Sequence, residues 1–401
     1  MTLKRRTWHK FPTLFSLYIA QSVPMSFFST VVPVIMRQEH YSLEAIGLLQ
    51  LVKLPWIAKF LWAPLVDRTS PGTKQLRRWI VLSELFYAVV IVGIGVLDLQ
   101  TDFRLIVFLM VIAFTASATQ DIATDAFAIL VLNKNERSLG NSMQSAGSFT
   151  GTLLGTGVLL IAYHYFGWTA LLILLAAFVI FALLPLQLYR KNTIARNELL
   201  QKVTLRAFTG FFRLPGMGRR TLLLATYYAG IIGILAMLKP YLVDLGYSVK
   251  EIGIMSGITG TAVAAGSAFI AGFILRKLGR NRSLVLFLLL EIGAALYFWW
   301  ISRDTPSLAA IYTGICFLWG AYGMATVAIF TTSMDAVRKG YEGTDFTLQI
   351  VITHLSGIVV AVMSGKAGDA LGYRGLFAGE VMIGVAALLI LTWNLARKPK
   401  S

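Results

Sequence analysis

What most limits the folds open to this chain is a succession of apolar runs, each about 20 residues long, the length an α-helix needs to cross a hydrocarbon core. About twelve such runs can be marked, at 12–36, 43–66, 79–98, 104–132, 138–163, 168–189, 221–243, 248–275, 283–302, 306–333, 345–371 and 375–396. Only 14% of the 401 residues are charged and 57% are hydrophobic. A soluble domain carries roughly a quarter charged residues, so the solvent for most of this surface is lipid. None of the runs is punctuated like a strand. A bilayer admits only helices or closed barrels, because every backbone N–H and C=O must be paired internally. The expected class is an all-α membrane protein of twelve transmembrane helices.

Net charge is +17, which on a soluble chain would suggest a nucleic-acid surface. The distribution argues otherwise. With both termini on one side, that side holds 27 Lys and Arg in its tails and loops, while the other holds 5: Arg37, Arg104, Lys250, Arg303 and Arg374. Positive residues stay on the cytoplasmic side, so both termini are expected in the cytoplasm. The basic residues then form a belt facing anionic lipid, and no nucleic-acid partner is expected. The basic start, Lys4 to Lys10, leads into the first run without a small-residue cleavage site and reads as a cytoplasmic tail. Cys316 is the only cysteine, so no disulfide framework, thiolate metal site or cofactor is expected.

The chain also repeats itself. Tyr41-Ser42-Leu43-Glu44-Ala45-Ile46-Gly47 precedes the second run, and Tyr247-Ser248-Val249-Lys250-Glu251-Ile252-Gly253 precedes the eighth, 206 residues on. Phe166-Gly167-Trp168 matches Leu371-Gly372-Tyr373 at 205, Gln144 matches Gln349 at the same offset, and Glu84 falls near Glu291. One register held through four matches in order points to a six-plus-six duplication. The expected domains are an N-terminal bundle at 1–189, a cytoplasmic linker at 190–220 and a C-terminal bundle at 221–401.

Two parallel six-helix halves joined by a basic loop resemble the major facilitator plan, whose solute site lies between the halves. Ala63-Pro64-Leu65-Val66-Asp67-Arg68, trailed by Arg77-Arg78, is similar to the signature loop of that superfamily, and the resemblance implies a gating role for Asp67, Arg68, Arg77 and Arg78. The counterpart at Gly272 to Arg280 lacks the acid. Physically, a carboxylate such as Asp67 suits a helix N-terminus, where it accepts hydrogen bonds. Leu17 to Pro24, Leu54 to Pro64, Thr119 to Ala126 and Gly343 to Gln349 together resemble the branch holding AmpG-type muropeptide permeases, acetyl-CoA transporters and some siderophore importers. That resemblance implies proton-coupled movement of bulky, mostly anionic solutes across a bacterial inner membrane. Ending after about twelve runs departs from the better-known muropeptide permeases, which carry an extra pair, and leaves a siderophore as the alternative solute.

An ionisable group at a helix centre costs ~3 kcal/mol on insertion scales, so each one needs a partner or a watery cavity. Asp121 and Asp125 are four residues apart and share one helix face. Two carboxylates so close cannot both be charged cheaply, so one is expected to bind a proton. Lys59 and Glu84 lie at similar depth and are expected to pair with them. Asp121, Asp125 and Glu84 are therefore the proton-coupling candidates, with a static ion network as the competing reading. Lys53, in the middle of the second run, is the first candidate for an anionic solute, with Gln21, Lys59 and Gln120 as the other solute-binding candidates; a structural pair with one of the acids is the competing reading for Lys53. Lys239, Lys366 and Glu380 lie toward helix ends, where snorkelling or a salt bridge accounts for them.

The expected function is a monomeric proton symporter importing a small anionic solute by alternating access, with protons and membrane lipid as its other partners. An enzyme is disfavoured, because the chain has no metal-binding His-Glu cluster, nucleophile elbow or phosphate loop. A transport-inactive membrane sensor of the same fold is the rival from another class.

Overall fold

The computed structural model describes residues 9–38, 49–189 and 206–396. No β-strand occurs among them. In chain order come α1 (Lys10–Met36), the short α2 (Leu54–Ala58) and α3 (Ala63–Arg68), α4 (Thr73–Gly95), α5 (Phe103–Val131), α6 (Arg137–Leu153) and α7 (Ile161–Leu188). They are followed by α8 (Met217–Asp244), α9 (Lys250–Leu278), α10 (Arg280–Ile301), α11 (Leu308–Asp335) and α12 (Glu342–Ala396). Among the described residues 9 helices are long and apolar enough to cross a membrane, all of these except α2, α3 and α6.

Three local causes separate this count from the twelve apolar runs. The second run breaks into α2 and α3, joined by tight three-residue-per-turn segments at Gln50–Lys53 and Lys59–Leu61. Pro55 and Pro64 each sit in the first turn of a short helix, because neither has an N–H to give to a continuing ladder. The fifth run, α6, carries Asn141, Ser142, Gln144, Ser145 and Ser148 and is too polar to qualify by composition. The eleventh and twelfth runs join in α12, interrupted only where Gly372 turns to φ 67°. Gly167, its match in the sequence repeat, interrupts α7 at φ 71°. Both copies thus spend a glycine on the left-handed backbone that a side chain would oppose. The first copy of the Tyr-Ser repeat, Tyr41 to Gly47, and residues 190–205 of the expected linker lie outside the described residues.

The chain forms two compact units, Met1–Ala207 with Ala336–Thr347, and Phe208–Asp335 with Leu348–Ser401. In the first unit α1 packs on α6, α4 on α5 and α7 on α4. In the second α11 packs on α9 and α10, and α8 on α10. The distribution on α5 is inverted relative to a soluble protein. On α5, Leu105, Phe108 and Val111 are exposed, while Ser117, Gln120, Asp121, Thr124 and Asp125 are buried. Polar groups inward and large apolar groups outward is the pattern that lipid selects.

Close approach of α1 and α6 rests on absent side chains. A methyl at Gly147 would stand 2.9 Å from the Phe15 carbonyl oxygen, and one at Gly151 would stand 2.6 Å from Ser22 Cβ. One at Gly155 would strike the Val23 carbonyl. Farther along, Phe27, Phe28, Phe114 and Trp168 build an aromatic core, with Phe27–Phe28 centroids 5.4 Å apart and Phe28–Phe114 6.4 Å apart.

Candidate functional site

The buried charges of the first unit gather where the second apolar run breaks. Leaving its α-helical path at Lys59–Leu61, the chain carries Lys59 inward with 1% of its surface exposed. Its ammonium forms an ion pair with Asp121 on α5 and lies 4.7 Å from the Trp56 ring centroid. A buried lysine of this kind keeps its charge only with a close counter-ion, and the π-face adds a second favourable contact.

One turn on, Asp125 is held differently. It accepts a hydrogen bond from the Tyr18 hydroxyl at 2.5 Å and one from Gln144 Nε2 at 3.2 Å. Two donors from α1 and α6 hold this carboxylate, and among the described residues no cation touches it. The two acids therefore differ in direct partner: Asp121 meets a full positive charge, Asp125 two neutral donors. Gln120 beside them is fully buried, and neither its amide oxygen nor its nitrogen meets a hydrogen-bond partner among the described residues. Gln21 Oε1 on α1 is in the same position. Leaving such groups dry and unpaired costs a few kcal/mol, so they are groups to which water or a solute can bind.

Glu84 departs from expectation. It is fully buried on α4, yet neither carboxylate oxygen meets a hydrogen-bond or ion-pair partner among the described residues, and its electrostatic neighbour is Tyr87, three residues along the same helix. Similar depth did not bring it to Lys59, whose ammonium pairs with Asp121 instead. Lys53 also differs: it is half-buried at the junction of Gln50–Lys53 with α2, not midway along a continuous helix.

A second cluster lies at the end of α3. Asp67 is fully buried and accepts from the first turn of α12: Gly343 N–H at 3.1 Å, and Thr344 N–H and hydroxyl each at 2.7 Å. A carboxylate there meets both unpaired N–H groups and the positive end of the helix dipole. Arg338 closes the same corner on Asp345, with contacts of 2.6 and 2.8 Å from its guanidinium and 2.9 Å from its backbone N–H. Arg77 donates to the Leu186 and Tyr189 carbonyls at 2.9 and 3.1 Å, satisfying the end of α7. Arg68 and Arg78 are exposed.

Sequence reasoning missed three features. Lys10 and Glu136 pair at 2.5 Å, a contact no spacing announces across 126 residues. Tyr18 lies within the Leu17–Pro24 motif, and its place one turn from Gln21 on α1 is the signal that could have found it. In the second unit Arg220 donates to Gln349 Oε1 at 3.1 Å and to Ser333 at 2.7 Å. Matched glutamines thus serve an acid in one unit and a base in the other. Two apolar clefts on the first unit, of about 520 and 370 Å³, carry no charged side chain in their linings.

A bundle of lipid-facing helices with ionisable groups turned inward is a polytopic membrane transporter. The chain belongs to the Major Facilitator Superfamily, whose profile it matches over residues 14–361. Among curated relatives, the anhydromuropeptide permease of Escherichia coli K12 is 26% identical over 383 residues, covering 94% of this chain and 78% of the relative. An AmpG-named transporter of Rickettsia conorii is 22% identical, with 95% of each chain covered. Among solved structures, a bacterial homologue of the iron transporter ferroportin, in an outward-facing state, matches with a TM-score of 0.71 at 15% identity over 98% of this chain and 99% of the other. At that identity the likeness concerns the fold alone.

Proposed function

We propose that this protein is a proton-coupled symporter of a bacterial inner membrane, importing a bulky anionic solute of the muropeptide type by alternating access. The observation that carries the reading is the buried set Lys59–Asp121 and Tyr18–Asp125–Gln144. One proton shared by the Asp121–Asp125 pair would loosen the hold on Lys59, giving an anionic solute a cation to meet, and its loss would reclaim that lysine. Lys53, Gln21 and Gln120 supply further solute contacts, and Glu84 is a second proton-binding group. The muropeptide class rests on the resemblance to the anhydromuropeptide permease across most of the chain. The relatives reported above do not support a siderophore.

In the same reading twelve helices form two halves, 1–189 and 221–401, joined by a cytoplasmic linker, and the molecule works as a monomer. Asp67 locks one state by holding Gly343 and Thr344, with Arg68, Arg77 and Arg78 as the other gating residues. Release of that hold accompanies the switch to the other state.

The test is reconstitution into proteoliposomes with an imposed pH gradient and labelled anhydromuropeptide. Uptake that follows the gradient in the wild type, and that loses its pH dependence in Asp125→Asn while the variant remains folded, is the expected result. Uptake indifferent to pH in both proteins removes the proton role. Absence of uptake for every anion offered, from folded protein, favours the transport-inactive sensor.

A further inference from the structure

Glu380, on the part of α12 beyond Gly372, is 3% exposed. The position expected of it was a helix end, where a charged head reaches the headgroups. Its carboxyl instead fills the slot opened by Gly233 on α8: a methyl on Gly233 would fall on both Glu380 Oε1 and Ser364 Oγ. At Gly230 a methyl would stand 2.7 Å from the Glu380 carbonyl oxygen, so α8 and α12 meet here backbone to backbone.

Ser364 lies 2.5 Å from Glu380 Oε1 and 2.8 Å from the Val360 carbonyl oxygen. A serine hydroxyl has one proton to donate. If Glu380 is charged, that proton is drawn to Oε1, and the contact with Val360 becomes two acceptors facing each other. If Glu380 carries a proton, its own O–H donates to Ser364 Oγ and Ser364 donates on to Val360, so both distances are hydrogen bonds at once. The proton count decides between the two.

Among the described residues no cation reaches the Glu380 carboxyl. The elements packed against Glu380 are α8, α10 and the earlier part of α12. Their nearby ionisable groups are Lys239, Lys366 and Asp369, all exposed, Tyr241, packed on Tyr373 and Phe377, and Glu291. Glu291 is buried on α10 next to Ile292, the residue that faces Gly384 one turn beyond Glu380. None of these forms a hydrogen bond or ion pair with Glu380 among the described residues, and Glu380 Oε2 has no partner. A bare charge in that setting lacks compensation. In the first unit the arrangement is the reverse: Asp121 has Lys59, and Asp125 has two donors.

We infer that Glu380 with Ser364 is a proton-binding site in the second unit, separate from the acid cluster of the first, and that it holds a neutral carboxyl whose O–H donates to Ser364. Its test does not pass through uptake, so it stands or falls apart from the proposed solute. Infrared spectra of the full-length protein reconstituted in lipid at neutral pH are compared for wild type, Glu380→Gln, Ser364→Ala and Glu291→Gln. The expected result is a carboxylic-acid C=O band that disappears in Glu380→Gln, shifts in Ser364→Ala as its acceptor is lost, and persists in Glu291→Gln. Loss of carboxylate bands with no loss of a carboxylic-acid band in Glu380→Gln overturns the inference. Should that variant fail to insert, a carboxylic-acid spectrum unmoved by Ser364→Ala does so as well.

Discussion

At the scale of single residues the Lys59–Asp121 pair sets the largest local energies. Removing one partner strands the other as a buried charge, at a cost of about 3–5 kcal/mol, whereas removing both leaves an apolar site that is close to neutral. Lys59→Met and Asp121→Leu should each lower thermal stability in detergent sharply, and the double substitution should recover most of the loss. Additive losses in that cycle would mean the two side chains are not paired. Asp67 belongs to the same scale. Asp67→Ala orphans two first-turn N–H groups and the Thr344 hydroxyl, so a loss of about 1–3 kcal/mol is expected, with Asp67→Asn retaining part of it as a neutral acceptor. Denaturant unfolding of the two variants side by side measures this, and equal effects would deny the carboxylate its role. The four-residue spacing of Asp121 and Asp125 was legible in the sequence because a helix has only one geometry. Their different partners were not, because Lys59 reaches Asp121 only through a break in the second apolar run, and Tyr18 and Gln144 arrive from helices remote in sequence.

At the scale of helices the glycines divide into two kinds. Gly147, Gly151, Gly155, Gly257, Gly260 and Gly266 look alike as small residues on apolar helices. In the structure Gly147 and Gly151 on α6, and Gly155 just beyond its end, touch α1, and a methyl on Gly260 would stand 2.5 Å from the Trp319 ring. A methyl on Gly257 or Gly266 would meet nothing within 4 Å. Overpacking a close contact costs typically 1–3 kcal/mol, since backbone cannot step aside as a flexible side chain can. Gly151→Val should therefore destabilise the protein by about that amount and loosen α1 from α6, while Gly266→Ala should change the melting temperature little. A scan of both variants checks it, and matching losses would show that close approach at Gly151 is not what holds the pair. In the sequence these glycines are indistinguishable, and only the packing partner tells a contact glycine from one facing open space. The same limit applies to Gly167 and Gly372: the repeat marked them as equivalent, and positive φ gives the reason.

At the scale of the whole molecule the strongest constraint is still the charge asymmetry, 27 basic residues against 5. It ties orientation to the membrane and makes a prediction independent of solute, coupling or gating. The loop between α4 and α5 falls on the poor side and that between α5 and α6 on the rich side. Both are well suited to labelling. In the first, the Asp98 carboxylate is held below its usual range by backbone N–H groups of Thr101 and then Gln100, which fixes the turn and leaves the Gln100 side chain exposed. In the second, Asn135 is exposed beside the Glu136 that pairs with Lys10. Cys316 is the only native thiol, so its replacement by serine gives a background in which single cysteines report their own side. Gln100→Cys should react with a membrane-impermeant maleimide in intact cells, and Asn135→Cys only after the membrane is opened. The opposite pattern would invert the topology and move the basic loops, with Asp67 and Arg77 among their residues, to the outer face. A gate built from those residues would then close the opposite face, so this labelling decides which side Asp67 and Arg77 guard.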